Sequence, residues 1–306
     1  MNVSNADTQV AAARSSALVV PAPSLGVIAV TGSDRKAWLN GLVTCDLAPL
    51  RPGDAIYGLA VAQKGRILAD LTFVLDEERI LVVLPRSEAA VVRAGFEHYL
   101  IMEDAELGQD DDSLAVYFAH GPRSADVLAV ARKENACGGL LDRTGLGGAV
   151  IVVPKAGESH LLARLAEIAT LGDDAGWDAL RIERGVPRFG VDFDTTMYPH
   201  EASLEKVAVS FSKGCYLGQE VVCMLEMRGH VKRKLVPIVL GAGSVPERGA
   251  PVTDARGERI GEVMSATQAS TLGVPVALAM IKYAHAIPGR ELTVGGVLAK
   301  VAENAS

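Results

Sequence analysis

Residues 213–228 read KGCYLGQEVVCMLEMR: two glycines bracket a cysteine, and ten residues free of Gly and Pro follow. Ahead of this stretch, Val207, Val209 and Phe211 alternate as in a half-buried strand. Behind the second glycine, residues 219–228 suit a short helix that Gly229 stops. Gly214 and Gly218 allow the backbone to turn between the two. Cys215 is thereby expected at a strand-to-helix turn, two residues after Lys213 and just before a helix N-terminus. The helix dipole and the Lys213 ammonium both favour thiolate, which predicts a reactive thiol of lowered pKa. The same geometry also suits a structural cysteine packed beneath the turn.

Composition narrows the rest. A chain of 306 residues with 49% hydrophobic content has room for two or three domains with sizeable cores. A net charge of −7 argues against a general nucleic-acid binder. The four cysteines, at 45, 137, 215 and 223, form neither CxxC pairs nor zinc-like His spacings, which suits free thiols in a reducing compartment. The start lacks a basic segment followed by an apolar core, and no apolar run reaches the roughly 18–20 residues that cross a bilayer. A soluble, cytoplasmic protein is the expectation, with no membrane partner.

Along the chain, residues 1–24 read as a flexible tail. A strand at 27–30 leads through a Gly-Ser-Asp turn into a helix carrying Trp38, Leu39 and Leu42. Strands follow at 55–62 and 67–74 around a hairpin tip at 63–66, then a strand at 81–84 and a helix with Val92, Phe96 and Tyr99 at helical spacing. The acidic run 110–112 reads as a solvated loop. Residues 114–128 echo the earlier strand, Gly turn and helix at an offset of about ninety residues, as in a duplicated α+β half. A strand at 150–153 and helices at 159–169 and 175–184 complete that half. Asp70 is an acid inside a strand, flanked by Leu68, Leu71 and Phe73. An outward, solvated position explains it blandly, yet acids are depleted in strands. From 235 onward, short β runs alternate with Gly/Pro turns, the texture of a small barrel or sandwich, with a boundary near Val231.

The stretch Lys213–Glu220 resembles the K-G-C-aromatic-x-G-Q-E signature of the folate-binding YgfZ family, iron–sulfur cluster assembly or repair factors related to the glycine cleavage T-protein, an aminomethyltransferase. Arg228-Gly229, the Gly65-Arg66 tip, Gly121-Pro122, Leu180-Arg181-Ile182-Glu183 and Pro199-His200-Glu201 fit the same likeness, which covers about residues 25–300. One position departs: the basic residue usual four places after Gln-Glu is Met224.

The resemblance implies an α+β, three-subdomain aminomethyltransferase-like fold. A folate-binding region of two similar halves spans 25–230 and a C-terminal β-barrel spans 231–306, with a central cleft for tetrahydrofolate or a one-carbon derivative. It implies Glu183 as the carboxylate that accepts from the pterin, and Lys213, Tyr216, Gln219, Glu220 and Arg228 as further cofactor-binding residues. It implies Asp70 near the folate nitrogens, and Cys215 as the functional thiol. No metal site is expected, because one cysteine cannot hold a cluster that takes about four ligands. The partners implied are folate and iron–sulfur client or assembly proteins. The alternative is an aminomethyltransferase-like enzyme passing a one-carbon unit to tetrahydrofolate, which Asp70 favours. A scaffold with a vestigial cleft is the third reading.

Overall fold

The computed structural model describes residues 5–241 and 243–302, without the side chain of Arg228. Two five-stranded sheets and a closed six-stranded barrel carry the architecture, a mixed α+β fold. The first sheet places Ala55–Val61, Ile67–Leu75, Ile80–Pro85, Leu25–Thr31 and Glu106–Asp110 side by side, all antiparallel. The second has the order Thr170–Leu171, Leu18–Pro21, Leu114–His120, Gly148–Pro154 and Cys137–Leu140.

Ile80–Pro85 shows why its sequence is an unbroken apolar run. Ile80, Val82 and Leu84 face a core that contains Trp38, Leu39, Val92 and Phe96 from the helices outside the sheet. Leu81 and Val83 face the opposite way, onto Leu114, Val116, Val150 and Val152 of the second sheet. Side chains alternate across a strand, so a strand covered on both faces needs apolar residues at every position. The second sheet repeats the plan: Tyr117, Ala119, Ile151 and Val153 pack under the helices Ser124–Lys133 and Lys155–Leu165. Each large side chain so buried contributes about 1.5–3 kcal/mol relative to exposure.

The barrel closes as Arg233–Leu240, Pro275–Lys282, Arg259–Gln268, Pro251–Thr253, Glu291–Val294 and Val297–Val301. It docks on the rest through Leu235, Leu278 and Met280 against Tyr57, Leu59 and Tyr216.

Several expectations need correction. The flexible tail is structured over most of its length: Ala6–Ser15 is a helix and Leu18–Pro21 a strand of the second sheet. Val10 and Ala13 pack with Leu18, Val20 and Leu180, and buried Gln9 hydrogen-bonds Asp173 in both directions at 3.0 and 3.1 Å. The buried face is one glutamine, one valine and one alanine, so the usual apolar periodicity is weak. The second half is therefore not contiguous, since its Leu18–Pro21 strand precedes the whole first half. Val207–Phe211 is no strand. Glu205–Ala208 is a short helix, and Val207 and Phe211 are exposed. Asp110 ends a strand instead of lying in a solvated loop, and its carboxylate takes the Val27 N–H and the Arg86 guanidinium.

Candidate ligand cavity and the cysteine turn

A cavity of about 730 Å³ opens where the ends of both sheets meet the helix Asp174–Glu183 and the loop 187–195. Its wall takes Asp70 and Thr72 from the first sheet, Phe118 and His120 from the second, Trp177 from the helix and Arg143 from the loop after Cys137–Leu140.

Asp70 lies in Ile67–Leu75 opposite Leu59. Its Oδ2 accepts from the Tyr57 hydroxyl at 3.1 Å. The Arg143 guanidinium lies over the Tyr57 ring at 3.7 Å from the centroid, so the cation completes the group. Burial raises the Asp70 carboxyl above its ordinary range, and Arg143 and the Tyr57 hydroxyl oppose that rise. Asp142 shapes the Arg143 loop by accepting from the backbone N–H groups of Thr144, Gly145 and Gly147 at 2.8–2.9 Å.

His120 closes the second sheet's end of the wall. Its ring stacks on Trp177 with centroids 4.4 Å apart and planes 5° apart. Neither ring nitrogen has a hydrogen-bond partner among the described residues. Burial first, then Arg143, lower its pKa to about 3, so the ring is a neutral imidazole at neutral pH. Neither His120 nor Arg143 stood out in the sequence. The only available signal was a histidine ending an apolar strand just before Gly121-Pro122.

Of the residues expected in the site, Asp70 alone among the described ones lines the cavity. Glu183 lies elsewhere: its carboxylate takes Arg14 at 2.5 Å and the Thr271 hydroxyl. The acid at the last helical turn is thus neutralised by the N-terminal helix, where the sequence reading saw only a tail. Lys213 is also redirected. Its Nζ donates to the carbonyls of Asn40, Val43 and Cys45 at 2.7, 2.9 and 2.5 Å, which holds the loop after Arg35–Asn40. Desolvation lowers the pKa of this ammonium.

Lys213→Met should cost about 2 kcal/mol in urea unfolding, since three carbonyls lose a charged donor. Hydrogen exchange should show the opening concentrated at residues 40–45, and a uniform change along the chain would contradict this assignment.

Tyr216 is buried against the barrel contact and its hydroxyl lacks a partner among the described residues. Gln219 and Glu220 begin the helix Gln219–Arg228, away from the cavity lining, and the side chain of Arg228 lies outside the described residues. Gly218 precedes that helix with φ 78°, and a Cβ there would meet the Ala62 carbonyl oxygen at 2.5 Å. Only glycine combines that backbone with that approach. Cys215 is exposed at the turn, so the structural cysteine beneath it is excluded. Among the described residues no group of three His, Cys, Asp or Glu side chains is poised for a metal ion. Two basic residues at the start of the barrel are already partnered: Arg233 with Glu201 at 3.1 Å and Lys234 with Glu205 at 2.6 Å.

A family model described as the GCVT N-terminal domain matches residues 3–137, and one described as the glycine cleavage T-protein C-terminal barrel domain matches residues 233–302. The aminomethyltransferase of Streptomyces coelicolor is 31% identical over 294 residues, covering 87% of this chain and 78% of that protein. The tRNA-modifying protein YgfZ of Escherichia coli O157:H7 is 26% identical over 256 residues, 78% of each chain. In fold, the crystal structure of glycine cleavage system aminomethyltransferase T from Bartonella henselae matches with a TM-score of 0.84 at 22% identity, covering 97% of this chain and 88% of that one.

Proposed function

The chain belongs to the glycine cleavage T-protein family, and from that premise we propose that it binds tetrahydrofolate in the cavity and serves iron–sulfur cluster assembly or repair. One observation carries the binding part: a cavity of about 730 Å³ whose wall joins Asp70, Arg143, His120 and Trp177. That volume suits a drug-sized ligand. A reduced pteridine is a flat heterocycle with N–H donors and a carbonyl acceptor. The aromatic wall accepts its faces, and the buried unpartnered imidazole and the Asp70 carboxylate match its polar edge. The residues present therefore fit the group.

When bound, tetrahydrofolate supplies the nitrogens that carry a one-carbon unit. Asp70 presents its carboxyl oxygens in a desolvated wall, where a hydrogen bond to ligand N–H groups is stronger than in water. Cys215, exposed on the surface turn, serves as the thiol: a carrier of sulfur or of a labile ligand, or a sensor of oxidation. It works outside the cavity in this reading, toward a partner protein.

Calorimetric titration with tetrahydrofolate tests the proposal. Asp70→Asn should weaken binding about tenfold or more with little change in melting temperature, because asparagine still accepts from Tyr57. Cys215→Ala should bind as the wild type does, yet fail to restore cluster-dependent enzymes in a strain lacking this protein. No binding by the wild type would end the folate reading, and full restoration by Cys215→Ala would end the thiol role.

A second reading, an aminomethyltransferase acting on tetrahydrofolate, is favoured by Asp70 lying on the cavity wall. Formation of methylene-tetrahydrofolate from a lipoyl-carried aminomethyl group, retained in Cys215→Ala and lost in Asp70→Asn, would select it.

A further inference from the structure

His120 is the buried polar group that the fold leaves unanswered. The strand Leu114–His120 delivers it to the cavity wall between Leu18 and Gly148 of the neighbouring strands. Its residue surface is 3% exposed, and neither Nδ1 nor Nε2 finds a partner among the described residues. Buried polar atoms are nearly always satisfied, and an unmet one costs about 1–3 kcal/mol. A phenylalanine would fill the same stack on Trp177 without that cost.

The stack also fixes the ring. With the Trp177 indole parallel at 4.4 Å and Phe118 stacked at 6.3 Å on the ring system, the imidazole plane is set and its nitrogens act only at the edge. Arg143 and Asp142 are the charged groups that act on it, and Arg143 opposes a second positive charge there. The imidazole of this wall residue carries one N–H donor and one nitrogen acceptor on a rigid edge, both shielded from water.

We infer that His120 reads the heterocycle of the ligand, hydrogen-bonding as a neutral imidazole to an uncharged ring edge that carries N–H or carbonyl groups. The cation that a phosphate or a free carboxylate calls for is Arg143 on the same wall, not this uncharged ring. The inference rests on the folate reading above and deepens it: the edge recognised is that of the reduced pteridine, not the glutamate tail. His120 is thus a residue that determines specificity, separate from the acceptor supplied by Asp70.

The test uses the full chain, with calorimetric titration of tetrahydrofolate and, in competition, 6-methyltetrahydropterin, which carries the heterocycle alone. His120→Phe should lose about tenfold or more in affinity for both. His120→Gln, which keeps a donor and an acceptor, should stay within about threefold of wild type. The melting temperature of ligand-free His120→Phe should equal or exceed that of wild type, a sign opposite to the one a structural histidine gives. Equal affinity in His120→Phe and wild type overturns the inference, as does a loss confined to whole tetrahydrofolate. A lower melting temperature or failure to fold in His120→Phe, with His120→Gln equally impaired, overturns it too. Absence of binding in the wild type itself would instead remove the folate reading, and the inference with it.

Discussion

Asp192→Ala should lower the unfolding free energy by about 3–5 kcal/mol, with a fall in melting temperature on the order of 10 °C. Asp192 is fully buried, with 0% of its surface exposed, in the loop between the helix Asp174–Glu183 and the cysteine turn. One carboxylate oxygen accepts from Arg181 Nη1 at 2.6 Å and the Arg188 backbone N–H at 2.9 Å. The other accepts from the Ser265 hydroxyl at 2.5 Å, on the barrel strand Arg259–Gln268. A single side chain therefore ties helix, loop and barrel together. Arg181 is just 1% exposed, and removing its partner leaves a buried guanidinium with Asp178 at 2.5 Å from Nε and only long contacts from Nη1, to the Val186 carbonyl at 3.4 Å and the Ser265 hydroxyl at 3.5 Å. The loss comes from that uncompensated buried charge more than from the missing pair. Replacing both residues with apolar ones of similar volume should accordingly cost far less than the single change. Residues 187–191 of the same loop line the cavity, so ligand affinity should fall with stability. A loss below about 1 kcal/mol in the single variant would contradict the account.

Acid should destabilise the protein through His120 before most carboxylates take up protons. The ordinary histidine pKa is 6.5, and burial together with Arg143 holds that of His120 at about 3 in the folded chain. Between those values the unfolded chain binds a proton that the folded chain refuses. The stabilisation is therefore complete above pH 6.5 and is lost as pH falls toward 3. The slope is about 1.4 kcal/mol per pH unit, which gives a loss of about 2 kcal/mol by pH 5. Asp70 acts in the opposite sense: its raised pKa lets the folded state accept a proton first as pH falls. Urea unfolding of wild type and His120→Phe at pH 7 and pH 5 separates the two, because the variant retains the Asp70 contribution and lacks the other. If both proteins lose the same stability between those pH values, the imidazole is not held neutral.

All the barrel strands but the three-residue Pro251–Thr253 were legible, because short alternating runs between Gly/Pro turns leave little else to form. Ile80–Pro85 and Gly148–Pro154 were legible as strands but not as two-sided ones, since an apolar run does not say what covers each face. The helix Ala6–Ser15 was missed because its buried positions, Gln9, Val10 and Ala13, are small or polar. That miss propagated to the site. With the N-terminal segment read as a tail, Glu183 is an acid suited to a ligand, and the structure supplies Arg14 as its counter-ion. Lys213 likewise looked like an activator of Cys215 two residues away. Three carbonyls from a segment about 170 residues earlier capture its ammonium.

From the order of residues alone came the family likeness, the β-barrel, the helix after Gly218 and the singling out of Asp70. Each of these depends on neighbours in the chain: a motif, a period of two or a glycine at a turn. Which ionisable groups face one another is a different matter, because Coulomb and hydrogen-bond partners are chosen by distance in space. Tertiary packing alone brought Arg143, His120 and Trp177 around one cavity with Asp70, set the Tyr57 hydroxyl on that carboxyl group, and drew Glu183 and Lys213 into structural contacts.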